Sequence, residues 1–146
     1  MQICITKGVN YMDSRTEKFI AFLKDNNLNF FEIRPTDTGN ILLHTENQIA
    51  TKIFIDNPSR IEIFYEFANC SNVLKQEQIL TFLNQLNETN VLKYFWAETG
   101  EIVANITYWA DDESFNPSTL FSLYLAFYRS LTNDHIVEQV MKIIWR

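Results

Sequence analysis

Three glycines, two cysteines and two histidines are all that this 146-residue chain holds of those types, and each shortage removes a class of chemistry. Gly8, Gly39 and Gly100 stand isolated, so no glycine-rich loop exists to cradle a phosphate. Cys4 and Cys70 lie far apart, and neither has a cysteine or histidine neighbour at metal-ligand spacing. They read as free thiols of a reducing compartment, with a disulfide left open until their separation in space is known. His44 and His135 are too distant in sequence to suggest a histidine-rich metal site. No serine occupies a nucleophile-elbow pattern. Nothing calls for a cofactor, a metal or a catalytic residue.

Long apolar runs are missing as well. No segment approaches about 18 continuous apolar residues, so no membrane span is expected. The opening MQICITKGVNYMD lacks a basic region and a long apolar run, and does not read as a signal peptide. Positive charge is scarce: 12 Lys and Arg stand against 18 Asp and Glu, giving a net charge of −6 and a pI near 4.8. Such a chain repels phosphate backbones and anionic membrane surfaces. Neither nucleic acid nor membrane is an expected partner. A cytoplasmic protein, or one that meets a basic partner, fits.

What the chain has in plenty is apolar and aromatic substance. Hydrophobic residues make up 47% and aromatics 14%, with twelve Phe, while charged residues make up 21%. At this length about two-thirds of the unfolded surface can be buried, so a core needs no staples. One domain over 1–146 is expected, with 1–13 as an N-terminal arm or edge strand because Ile3 and Ile5 alternate with polar residues.

Caps and periodicity divide the rest. Ser14-Arg15-Thr16-Glu17 matches a capping box, with Ser14 accepting from the Glu17 N–H. Phe19, Ile20, Phe22 and Leu23 follow as a helical stripe, ended by Asp25-Asn26-Asn27. Strands are predicted at 29–34, closed by Pro35, at 41–46 and 49–56, joined near Asn47, and at 60–67. In the last, Ile61, Ile63, Tyr65 and Phe67 share one face, and Glu62, Phe64 and Glu66 the other. Ile79, Phe82, Leu83 and Leu86 give a second helix over 75–87. A hairpin follows with Glu98-Thr99-Gly100-Glu101 at its tip. After Asp111-Asp112-Glu113, Asn116 caps a third helix over 118–131, with Pro117 in its first turn. Thr132-Asn133-Asp134 leads to a fourth helix carrying Ile136, Val140, Ile143 and Ile144. The order α-β-β-β-β-α-β-β-α-α predicts an α+β fold, an antiparallel sheet with helices mainly on one face.

The helix with Leu83-Asn84-Gln85-Leu86-Asn87, then Tyr94 to Ala97, Gly100-Glu101-Ile102 and Ile106, resembles the YbjN-like family. The resemblance extends over about residues 14–145. It implies the fold of bacterial type III secretion chaperones, a role in binding other proteins, and dimerisation. It implies no catalytic residue. The extension before Ser14 departs from the family layout.

Few residues invite chemistry. His44 shares a strand face with Leu42 and Glu46, so it reads either as a base paired with Glu46 or as an exposed strand histidine. His135, beside Asp134, reads as a capping residue. Asp111-Asp112-Glu113 lacks the regular oxygen offsets and the glycine of a calcium loop, and reads as an acidic helix start. Glu62 and Glu66 are either an acid–base pair or a wet strand face on which a partner's Lys and Arg land. The third helix is apolar almost all round through Leu120, Phe121, Leu123, Tyr124, Leu125, Phe127 and Tyr128. Such a helix is either centrally buried or completed by another chain. The expected function is therefore a non-catalytic, chaperone-like protein-binding module, an adaptor or regulator acting as a homodimer. Phe121, Tyr124, Leu125, Tyr128, Phe64, Glu62 and Glu66 are its candidate interface. The alternatives are an immunity or antitoxin-type protein blocking a basic partner, and a small hydrolase using Glu62, Glu66 or His44.

Overall fold

The sheet takes its order from hairpins. In a computed structural model of the chain, residues 12–69, 76–89, 92–98, 100–133 and 136–145 are described. The elements are α1 (Ser14–Asp25), β1 (Glu32–Pro35), β2 (Asn40–Glu46), β3 (Ile49–Asn57), β4 (Arg60–Asn69), α2 (Gln76–Thr89), β5 (Lys93–Trp96), β6 (Glu101–Trp109), α3 (Pro117–Asn133) and α4 (Ile136–Trp145). This is the predicted order, and the class is α+β. All pairings are antiparallel, in the spatial order β1-β2-β3-β4-β6-β5. Asn47 and Gln48, both at positive φ (52° and 66°), turn β2 into β3. The N-terminal arm or strand, Cys4, Cys70 and His135 lie outside the described residues.

Alternation puts one side of every strand into the core. Ile33, Leu42, Ile53, Ile63 and Ile106 stand side by side across five strands. Phe19 and Leu23 of α1, Ile79, Leu83 and Leu86 of α2, and Leu120, Tyr124, Phe127 and Leu131 of α3 close over that face in one buried cluster. Each such fully buried side chain stabilises the fold by roughly 1.5–3 kcal/mol relative to exposure. The fourth helix, α4, packs against α3 and α2.

Three expectations change. The strand predicted at 29–34 begins only at Glu32. Phe30 and Phe31 leave the ladder to stack with each other and with Tyr124, because burying two rings outweighs extending an edge strand. The cap of α1 is Asp13 rather than Ser14: its carboxylate accepts from the Arg15 N–H at 2.9 Å, and its carbonyl accepts from the Glu17 N–H at 3.0 Å. The Ser14 hydroxyl instead donates to Asp112. Finally, α3 is not apolar all round. Ser118, Ser122, Ala126 and Arg129 form an exposed stripe on an arc of about 80° at 100° per residue.

Arg15 ties α1 to one end of the sheet. It is 2% exposed. Its guanidinium donates to the Asp13 carboxylate, to the Asn57 carbonyl at 2.7 Å and to the Ala110 carbonyl at 2.8 Å. The Asp13 N–H donates to the Asn40 side chain at 2.9 Å. Burial pushes the Asp13 carboxyl up, but the hydrogen bonds and charge of Arg15 outweigh that and hold it below its ordinary value.

Candidate protein-binding face

Strand alternation gives the sheet a second face, and its residues stay outside the buried cluster that the helices close. Register decides what lies there. Ile41 opposes Phe54, Lys52 opposes Phe64, and Val103 opposes both Glu66 and Phe95. Ile41, Phe54, Phe64, Val103 and Phe95 thus run as an apolar diagonal across β2, β3, β4, β6 and β5. The rings of Phe54 and Phe64 meet edge-on at 5.3 Å. Phe95 is 43% exposed, and Trp109, at the end of β6 on the same side, is 67% exposed. The guanidinium of Arg60 stands 5.8 Å from the Trp109 ring centre.

Charges of both signs flank the diagonal: Glu32, Asp56, Glu62 and Glu66 with Arg34, Lys52, Arg60 and Lys93. Glu62 is engaged within the chain. It accepts from the Asn105 amide and the Thr107 hydroxyl, and lies 3.2 Å from Arg60. Glu66 is exposed. A groove of about 540 Å³ runs over Thr38, Asp56, Phe54, Glu62, Phe64 and Phe95. At the sheet's end it adjoins a cavity of about 600 Å³ lined by Asp13, Thr38, Asp56, Asp111, Asp112 and Glu113. There Asp111 accepts from the N–H groups of Ser114 and Glu113, and the Ser114 bonds hold its carboxyl below the ordinary value. These bonds are those of an acidic helix-start loop.

His44 belongs to the other side. It is not an exposed strand histidine: its side chain is 11% exposed beneath α3, ringed by Phe30, Phe31, Tyr124 and Tyr128. Its Nδ1 meets the Tyr124 hydroxyl, which also meets Thr51 Oγ1 at 2.7 Å. Nε2 lies 3.6 Å from the Glu46 carboxylate. Burial lowers the His44 pKa, with Glu46 opposing. Burial likewise raises the Tyr124 hydroxyl well above its ordinary value. His44 and the glutamates Glu62 and Glu66 therefore occupy opposite faces of the sheet. They do not converge, and a hydrolase built on all three has no site.

Of the other candidate residues, Tyr124 is 1% exposed and packs in the core. Phe121 is half-buried against Phe22 and Phe30. Leu125 and Tyr128 are half-buried on α3. Phe64, Glu62 and Glu66 fall together on the open face. Sequence reasoning missed Ile41, Phe54, Phe95, Val103 and Trp109. Alternation within β6 was the available signal, but only register brings residues of five strands together. Among the described residues, no cluster of His, Cys, Asp and Glu is placed to hold a metal ion. No described helix is long and apolar enough to cross a membrane.

No protein-family model matches the chain, and no curated protein matches it in sequence. Solved structures do match. A chain of the ExsC–ExsE complex aligns with a TM-score of 0.54 and 11% identity, over 91% of this chain and 97% of its own length. A chain of the HopA1–SchA chaperone–effector complex aligns with a TM-score of 0.56 and 11% identity, over 82% and 91%. At such identity the likeness is one of fold alone.

Proposed function

We propose that this chain is a non-catalytic protein-binding module of chaperone type that receives another polypeptide on the open face of its sheet. The observation that carries this is the apolar row on that face, half-buried at Ile41, Phe54 and Phe64 and exposed at Phe95 and Trp109, where the opposite face is sealed by helices. Contiguous exposed apolar surface of this kind marks protein contacts. Supporting it, both structural neighbours come from complexes of two proteins, one of them a chaperone with its effector. Membership of the YbjN-like family, one domain over 1–146, a cytoplasmic setting with free Cys4 and Cys70, and an adaptor or regulatory role as a homodimer belong to the same reading. Leu125 and Tyr128 on α3 are the remaining candidates for the contact between copies.

The test is partner capture from the native host, read by mass spectrometry, with a Phe64→Asp variant in parallel. A protein held by the natural chain and lost from the variant, with circular dichroism unchanged, is the expected result. Equal capture by both chains removes the open face from the function. Light scattering over a dilution series tests the dimer, and a strict monomer at high concentration rejects it. A basic partner is the second reading, favoured by the crowding of Asp56, Asp111, Asp112 and Glu113 at one end of the sheet, where Arg15 is already taken up by Asp13. It expects capture that weakens as salt rises and survives Phe64→Asp.

A further inference from the structure

We infer that the polypeptide segment received on the open sheet face carries a carboxylate side chain among its apolar residues and seats it on Lys52. This rests on the docking role proposed for that face and adds the chemistry of the partner.

Register puts Lys52 in the middle of the face. It stands in one row across the strands with Glu32, Leu43, Phe64, Asn105 and Lys93. Leu43 and Phe64 are its direct neighbours on β2 and β4. The next row on one side holds Ile41 and Phe54, and the next row on the other holds Val103 and Phe95. Lys52 is thus a half-buried cation set within the apolar part of the face.

No carboxylate of the described chain neutralises it. The ion pairs of this face join Glu32 to Arg34 and Arg60 to Glu62, and among the described residues Lys52 belongs to none. Two acids lie diagonal to it on β4. Glu62 is taken up by Arg60, the Asn105 amide and the Thr107 hydroxyl. Glu66 is exposed and keeps its charge in water.

The Lys52 ammonium keeps its own water only while the face is open. A partner that fills the groove over Phe54, Phe64 and Phe95 strips that water away. A charge desolvated without a counter-ion opposes binding. A purely apolar segment meets this penalty in full, and a basic one adds repulsion to it. A carboxylate turns the same position into an attractive one. Lys93 extends the preference toward β5. It is exposed on the same row, three strand spacings from Lys52, about 14 Å at roughly 4.8 Å each. At the end of the sheet the sign reverses, because Asp56, Asp111, Asp112 and Glu113 line the cavity there. An acidic segment is therefore drawn to the middle row and turned away from that end.

Peptide display on the immobilised full chain tests this, with every peptide that also binds Phe64→Ser removed. The peptides that remain should carry Asp or Glu within an apolar run. One of them, synthesised, should bind Lys52→Glu at least tenfold more weakly and Lys52→Met several-fold more weakly, with the amide spectrum of the core residues unchanged. Replacing its acidic residue by Lys should restore binding to Lys52→Glu. Remaining peptides that lack acidic residues, or a dissociation constant unmoved by Lys52→Glu, overturn the acidic partner. Peptides that depend on Phe64 and not on Lys52 leave the docking role standing and remove the carboxylate alone. If no peptide depends on Phe64, the docking role fails and the acidic partner fails with it.

Discussion

The side chain of Asn87, at the end of α2, holds both backbone polar groups of Tyr94. Its Oδ1 accepts from the Tyr94 N–H at 2.7 Å, and its Nδ2 donates to the Tyr94 carbonyl at 2.9 Å. Tyr94 lies in β5, the edge of the sheet. An amide group carries one acceptor and two donors, the same functions a neighbouring strand would offer. Asn87 thus stands in for a strand at this residue and shields an edge that would otherwise invite pairing. It also gives a physical reason for an asparagine after Leu86, the pair on which the family resemblance leans.

Asn87→Ala removes both bonds at a half-buried site and should cost about 1–3 kcal/mol. Asn87→Asp keeps the acceptor and loses the donor, so its cost should be smaller. Urea unfolding of the three chains checks the order. A neutral alanine variant would show that the edge is held by packing alone.

Arg15 offers a sharper case. Arg15→Met leaves the Asp13 carboxylate without its cation, and breaking a buried pair from one side costs about 3–5 kcal/mol. The pH dependence follows from the lowered Asp13 pKa. A carboxyl held below its unfolded value stabilises the native state above that value, near 3.8, and the stabilisation is lost as pH falls through the folded pKa. The natural chain should therefore lose stability in acid, below pH 3.8. Arg15→Met should start lower and fall less steeply across the same window. Thermal melts between neutral pH and strong acid make the comparison.

His44 acts in the opposite half of the pH scale. Its pKa is lowered, so the unfolded chain takes up a proton before the native one does, beginning near pH 6.5. Stability from this residue is complete above pH 6.5 and declines as pH falls toward the folded pKa. The groups facing it are Glu46 on its own strand, Thr51 of β3, Tyr124 and Tyr128 of α3, and the rings of Phe30 and Phe31. Glu46 carries the charge among them and limits the decline. His44→Gln should flatten the slope between pH 7.5 and 5. Protection of the α3 amides, corrected for the intrinsic exchange rate, should fall in the natural chain over that range, because Tyr124 ties the helix to His44 and Thr51.

These cases mark what could be read in the sequence. Periodic signals were legible: the alternation from Arg60 to Phe67 and the stripe of Ile79, Leu83 and Leu86 both place the buried face correctly. Short-range capping was half legible. Asn116 does accept from the Ser118 and Thr119 N–H groups, but Asp13 took the place read for Ser14, since a carboxylate facing buried Arg15 gains more than a hydroxyl. Tertiary choices were not legible. Phe30 and Phe31 had strand propensity and went to the core, and His44 was drawn under α3 by Tyr124. The wet stripe of α3 was hidden because Ser118, Ser122 and Ala126 are small rather than charged. On the open face Glu62, Phe64 and Glu66 were visible within one strand, whereas Phe54, Phe95 and Trp109 joined them only through register.

Gly39 closes the turn into β2 and leaves no room for a side chain. A Cβ there would stand 2.1 Å from the Ile55 carbonyl oxygen and 2.8 Å from the Asp56 Cα. Both are backbone atoms of β3, so relief requires moving a strand rather than a side chain. Ile55 is fully buried in the core beside Asn40, which itself holds the Asp13 N–H. Gly39→Ala should therefore destabilise by about 1–3 kcal/mol or more, as overpacked cores do. The displacement should travel to the Asp13–Asn40 bond and loosen the start of α1. Amide exchange at Asp13 and the melting temperature report the two effects together. A variant as stable as the natural chain, with Asp13 still protected, would mean that the β1–β2 turn lifts away from β3 at no cost.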